Sequence, residues 1–229
     1  MKSNNYLVIP DLHLPYEHPK ALEFCCQLKK EFKVDDKNVY SLGDEAEMAM
    51  MSQHPKSADS RHTANQELQE LKDKISVWGD HFPYLKLCYS NHATRYWRKT
   101  THADIPSSVL IRYRDFIGAP QTWRWEHHFV VNSDSPFLLT HGDGYSGPNG
   151  HRQMALNNGI STMHGHFHSN AGISWIVTMG QTIWACNAGC LINPEDGTFG
   201  YAANNRFKSS IGAAVIMDGG KYPLWIPLQ

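Results

Sequence analysis

The sequence predicts an α/β fold in which two β-sheets pack face to face with helices outside them. Two observations carry this. The first half alternates short apolar runs with helical stripes, which implies parallel strands joined by crossover helices. The second half is a succession of short apolar segments punctuated by Gly, Pro, Asn and Asp, the pattern of a strand-rich region.

In the first half, residues 5–10, 38–43 and 84–90 are apolar runs bounded by turn residues, as buried strands are. Between the first two, Leu22, Cys25, Leu28 and Phe32 recur at helical spacing, and Pro19 suits the first turn of that helix. Between the second and third, Ala64, Leu68, Leu71, Ile75 and Trp78 form another helical stripe. In the second half, strands are expected over 129–132, 137–141, 160–164, 173–177, 182–187, 211–218 and 222–226, with one helix over 150–158. There is no internal repeat, low-complexity tract or linker, so residues 1–229 read as one domain.

Composition excludes several classes. Hydrophobic residues make up 41% of the chain, enough for a core and too many for a disordered protein. No run of about 18 apolar residues exists, which argues against a membrane span and a membrane partner. The apolar start, Tyr6 to Ile9, is too short for a secretory signal, and a cytoplasmic location is expected. The formal net charge is −1, so any attraction to nucleic acid must be local. The 5 cysteines are too sparse for a disulfide scaffold, and Cys186 and Cys190 read as buried thiols rather than half a zinc site.

The unusual residue is histidine, present 14 times. Several sit with Asp and Asn at the C-terminal ends of the expected strands: Asp11-Leu12-His13, Gly43-Asp44, Asn91-His92, His141-Gly142-Asp143 and His164-Gly165-His166-Phe167-His168. Open α/β sheets bind ligands at that edge. In an extended Asp-x-His or His-x-His segment, side chains at i and i+2 share a side and can grip one ion. Gly43 and Gly165 are expected to permit tight turns before Asp44 and His166. Imidazole, carboxylate and one amide oxygen together suit Mn, Fe, Zn, Ni or Co better than Mg or Ca.

The order of these motifs resembles the calcineurin-like metallophosphoesterase family, whose pattern is D-x-H, G-D-x-x-D, G-N-H-[DE], a later H, and G-H-x-H. The resemblance spans roughly residues 6–190, and the Asp-Leu-His-Leu-Pro start and compact size are similar to small phage or bacterial members. It implies a four-layer α/β/β/α sandwich of two mixed sheets and two divalent metal ions, with Mn favoured. One ion would be held by Asp11, His13, Asp44 and His168, and the other by Asp44, Asn91, His141 and His166. It also implies hydrolysis of a phosphate ester by a metal-bridging hydroxide, with His92 as general acid. Two departures stand out. The second acid of G-D-x-x-D, which orients the catalytic histidine in relatives, is the longer Glu47, and the third motif has Ser90 for Gly and Ala93 for the acid.

Residues 95–125 read as a basic, aromatic, cap-like insert, with Arg95, Arg98, Lys99, Arg112, Arg114 and Arg124 among Tyr96, Trp97, Tyr113, Trp123 and Trp125. Such a mixture stacks bases and neutralises phosphates. It is equally the composition of an amphipathic cap with core aromatics. It favours a phosphodiester substrate, in nucleic acid or a nucleotide, over a phosphomonoester. Arg95, one helical turn past His92, is placed to clamp a phosphate oxygen. The glycine-rich stretch 142–150 lacks the spacing of a nucleotide-binding P-loop and reads as a cleft wall or a plain turn cluster. His164 reads as structural or supporting, His54 and His62 as candidates to line the cleft, and the remaining histidines, His151 included, as surface or loop residues. A non-catalytic, metal-stabilised binding protein is the competing class, and a protein that binds nucleic acid through the insert alone is a third.

Overall fold

Tyr6, Leu7, Val8 and Ile9 form strand β1 (Tyr6–Ile9), buried on both faces. Their alternation sends Leu7 and Ile9 into one apolar cluster and Tyr6 and Val8 into another. That division organises the computed structural model, which describes residues 4–52, 62–202 and 206–229. After β1 come α1 (Ala21–Glu31), β2 (Val39–Ser41), α2 (Ala64–His81), β3 (Lys86–Cys88), α3 (Arg95–His102), α4 (Tyr113–Ile117), β4 (Arg124–Glu126), β5 (His128–Val131) and β6 (Phe137–Thr140). The remainder is α5 (Gly150–Asn158), β7 (Ser161–His164), β8 (Gly172–Val177), β9 (Thr182–Asn187), β10 (Gly212–Met217) and β11 (Tyr222–Pro227).

The strands form two mixed sheets. One has the order β11-β10-β1-β2-β3-β4 and the other β5-β6-β7-β9-β8. In the first, β1 to β4 run parallel, and β10 and β11 add antiparallel neighbours. In the second, β6, β7 and β9 are parallel between antiparallel edges. The two sheets share an apolar cluster that joins Tyr6, Val8, Tyr40, Ala214 and Ile216 to Phe137, Leu139, Met163, Trp184 and Cys186. On the other face of the first sheet, Leu7, Ile9, Val39, Ala213 and Val215 meet Ala21, Cys25 and Leu28 of α1 and Leu71, Ile75 and Trp78 of α2. Ala155 of α5 packs with Ile176, Ile183 and Ala185 of the second sheet. Burial of these side chains, at about 1.5–3 kcal/mol each, is the main force that fixes the sheets together.

Two features of the fold go beyond what the sequence pattern specifies. Strands β10 and β11 follow the second sheet in the chain but pair in the first, because β10 lies antiparallel against β1. The segment 95–125 is only partly a cap. It opens as α3 and α4, but Tyr96, Tyr113 and Trp123 are buried in the main core, and the chain then enters β4, parallel to β3. Among the described residues, no helix is long and apolar enough to cross a membrane.

Candidate metal centre

Five strands end at the site. Asp11 and His13 follow β1, Asp44 follows β2, Asn91 and His92 follow β3, His141 follows β6, and His166 and His168 follow β7. The turns that present them are tighter than extended spacing implies. His13, Asp44 and His166 adopt left-handed backbone, with φ of 53°, 47° and 64°. The Asp11/His13 and His166/His168 pairs therefore converge by a left-handed turn, not by strand alternation. Gly43 has φ 98°, as a tight turn requires, but Gly165 has another role. A Cβ there would stand 2.1 Å from Asp11 Oδ1, so its hydrogen leaves room for a carboxylate.

Asp11, His13, Asp44 and His168 bring one donor atom each to within 4.8 Å of one another, Asp44, His141 and His166 form a second such group, and His13, Glu47 and His92 a third. Asp44 belongs to the first two. Its Oδ2 lies 3.4 Å from His13 Nε2 and 3.5 Å from His141 Nε2. Asn91 Oδ1 lies 2.8 Å from His141 Nε2, beside the second group. Ring nitrogens face one another at 3.1 Å between His13 and His168, and at 3.2 Å between His166 and His141.

The donor set fits divalent metal. Asp11 Oδ2 accepts from the His166 amide at 2.7 Å and meets His168 Nε2 at 3.1 Å, whereas the buried Oδ1 has no hydrogen-bond partner. An unpartnered buried carboxylate oxygen is costly unless something positive meets it. Ligand atoms around one small divalent ion stand within about 4–4.5 Å of each other, close to the spread of these donors. The mixture of imidazole nitrogen and carboxylate oxygen suits borderline first-row metals.

Electrostatics also favour the ligand forms. Burial raises the Asp44 carboxyl, but His92, His141 and His13 outweigh it and hold it well below the usual range. Burial likewise opposes charge on Asp11, and His168 and His141 lower it overall. Burial lowers His13 and His166 toward the neutral imidazole that binds metal. Burial opposes a charge on His92 as well, yet the carboxylates of Asp44 and Glu47 push it up to about 9.

Glu47 reaches two histidines. Its Oε2 lies 2.5 Å from Nδ1 of His13 and 3.2 Å from Nδ1 of His92. The nearer hydrogen bond on His92 comes from the Glu47 carbonyl, which accepts from Nδ1 at 2.7 Å. Behind it, the buried Glu67 carboxylate of α2 accepts from the amides of Ala49 and Met50 and fixes the turn. Arg95 is engaged by Glu47 and His92. It donates to the Glu47 carbonyl at 2.7 Å and to Oε1 at 3.1 Å, and its Nη2 stands 2.9 Å from His92 Nε2. Ser90 bonds the Asp44 carboxylate and accepts from the Ala93 amide, and Ala93 is buried in the core.

His164 is buried and neutral, its pKa lowered by burial to about 4, and its Nδ1 donates to the Gly165 carbonyl under the Gly142 turn. His62 is tied to Glu70 and Tyr16 rather than to the ligand groups, and His54 lies outside the described residues. His151 is a correction: it is buried on α5, with Nε2 2.9 Å from Ser174 Oγ, because its face of the helix turns toward the sheet. Cys186 and Cys190 are free and buried and belong to none of the three ligand groups.

Three contributors have no assigned role in the sequence reading. Asp143 Oδ1 stands 4.0 Å from both His141 Nε2 and His166 Nδ1, and its place two residues after a ligand was the available signal. Arg98 donates to the Asn91 carbonyl at 2.8 Å. Buried Glu45 accepts from Tyr113 Oη and Trp125 Nε1. Neither of the last two had a local signal, because their partners are set by packing.

No protein-family model matches the chain, and no curated protein matches it significantly. What the fold and site define is an α/β protein with two mixed sheets whose strand ends gather buried carboxylates and imidazoles able to hold metal ions.

Proposed function

We propose that this chain is a dinuclear-metal-dependent phosphoesterase of the calcineurin-like metallophosphoesterase kind. The observation that carries the reading is the position of Asp44 Oδ2, shared between two ligand groups and 3.9 Å from His92 Nε2. Asp11, His13, Asp44 and His168 would hold one ion, and Asp44, Asn91, His141 and His166 the other, with Mn favoured and Fe, Zn, Ni or Co also suited. When bound, such a pair supplies an activated water at neutral pH and a clamp for phosphoryl oxygens.

The chain's own residues supply the remainder. The Glu47 carbonyl holds Nδ1–H of His92, which leaves Nε2 directed toward the ligand groups. The carboxylates of Asp44 and Glu47 raise the basicity of this imidazole, which in the proposed reaction delivers a proton from Nε2 to the departing oxygen. Arg95 can only donate, so its contact with Nε2 and a proton on Nε2 exclude each other. Protonation of His92 thus frees one arm of the guanidinium for a phosphoryl oxygen, while the other stays on Glu47.

The four-layer α/β/β/α arrangement is part of the proposal. Its support is the packing of α1 and α2 on one sheet, α5 on the other, and a shared apolar cluster between the sheets. A phosphodiester is the favoured substrate, because basic and aromatic residues flank the site in α3, α4 and β4. A cytoplasmic setting belongs to the same reading, supported by the odd and thinly spread cysteines. The test is turnover of bis-p-nitrophenyl phosphate against p-nitrophenyl phosphate by Mn-loaded protein. Metal-dependent cleavage with preference for the diester is expected, and no cleavage of either ester with metal bound contradicts the reading.

A further inference from the structure

We infer that the pocket lined by Tyr89, Trp97, Arg112, Tyr113, Arg114 and Trp125 binds a nucleobase of the substrate. The inference deepens the phosphoesterase reading and rests on it for what happens to the attached phosphate. The pocket encloses about 420 Å³, within the range of small-ligand sites. Its rings pack edge-on or tilted into one continuous wall, with centroids 5.9 Å apart for Tyr89 and Trp97, 5.3 Å for Trp97 and Tyr113, and 5.9 Å for Tyr113 and Trp125.

The walls are pinned from behind. Tyr113 Oη and Trp125 Nε1 both donate to Oε1 of buried Glu45, at 2.9 and 3.0 Å. Arg114 donates from Nη2 to the Trp123 carbonyl at 2.7 Å and stands 5.7 Å from the Trp125 ring centre. Rings held this way present π-faces at little entropic cost, which is how sequence-tolerant base-binding sites work. Two polar features distinguish the pocket from core. Arg114 Nε is a buried donor without a hydrogen-bond partner behind the pocket wall. Arg112 is exposed, and its guanidinium makes no hydrogen bond or ion pair among the described residues.

The arginines also decide the class of ligand. An aromatic cage alone would suit a quaternary ammonium, but two guanidinium groups repel a cation and attract a phosphate-bearing ring. The pocket adjoins the metal centre along the chain. Tyr89 follows β3 two residues before Asn91, and Glu45 directly follows Asp44.

The experiment is equilibrium binding to the full chain as purified, followed by tryptophan fluorescence and calorimetry. Adenosine, ribose and benzyl alcohol are compared first, since none carries an ester to cleave. Adenosine is expected to bind at least about tenfold more tightly than either, in keeping with one base–aromatic stack. Trp97→Ala, at a partly exposed position, should erase that margin, and Trp97→Phe should restore most of it. Arg112→Ala should weaken AMP about fivefold or more without weakening adenosine. AMP and a short oligodeoxyadenylate then separate the sources: equal affinity assigns a free nucleotide and tighter binding of the oligomer assigns a strand, and either supports the pocket. Equal binding of adenosine and ribose, equal binding of benzyl alcohol, or a margin that survives Trp97→Ala overturns it. Absence of ester turnover alongside adenosine binding sinks only the phosphoesterase reading, and turnover without an adenosine margin sinks only the pocket.

Discussion

Glu47 Oε2 lies 2.5 Å from Nδ1 of His13, so a carboxylate outside the shared-Asp44 groups fixes the ring that carries one of their donors. With Nδ1 committed to Glu47, Nε2 of His13 is left to face Asp44 and His168. Carboxylate–histidine pairs of this kind set tautomer and ring orientation at metal sites. The Glu at this position, longer than the Asp of the family pattern, spans two histidines at once.

Glu47→Gln keeps the length of the side chain and removes its charge. Metal affinity, measured by calorimetry, should fall about 10–100-fold, as it does when such partners are lost. An unchanged affinity would mean that His13 is oriented by packing alone.

Gly165→Ala tests the room made for Asp11. The new methyl would stand 2.1 Å from Oδ1, so the carboxylate must move. Metal binding should be lost or severely weakened, and the melting temperature of the metal-loaded protein should drop toward that of the metal-free form. Retention of wild-type affinity would remove Oδ1 from the ligand set.

His92→Asn should leave metal content intact if the two ions sit in the groups that share Asp44, as proposed. Turnover should slow by about 10²–10⁴-fold on esters with poorly leaving alcohols, and much less on p-nitrophenyl esters. A series of leaving groups of rising pKa reads this directly. Equal loss across the series would contradict a proton-donating role.

The pH dependence of stability can be tested away from the centre, at Glu17. Burial raises its carboxyl pKa, and the ammonium of Lys74 at 2.5 Å only partly offsets this. A raised pKa in the folded state means that protonation favours folding. The contribution is therefore full below the unfolded value and fades as pH rises through the folded one. Wild type should lose stability relative to Glu17→Gln as pH rises above about 4.5, read by denaturant melts at each pH. A constant difference would mean that Lys74 fully compensates.

Much of the fold was legible in the sequence. The stripe from Leu68 to Trp78 marks α2 because its apolar period matches the helix, and the run at Tyr6–Ile9 marks β1 because it is short, apolar and bounded by Pro10. The strand-end positions of the candidate ligands were legible for the same reason. Strand β4 was not, since Arg124-Trp125-Glu126 has only one apolar residue and becomes a strand by pairing with β3. The joining of β10 to β1 is a contact across most of the chain, and no local pattern encodes it. The convergence of Asp11 with His13 was expected from strand alternation, yet it depends on left-handed backbone at a histidine, which tertiary packing imposes. The contacts of Arg95 with Glu47 were not legible, because the turn that brings Glu47 to α3 is set by packing.

The most direct test of the account is a Mn titration of metal-stripped protein, with binding and bis-p-nitrophenyl phosphate turnover followed together. Turnover should rise with occupancy, level off near two bound ions, and disappear when the metal is removed. Full occupancy with no turnover, or turnover indifferent to metal, would contradict it.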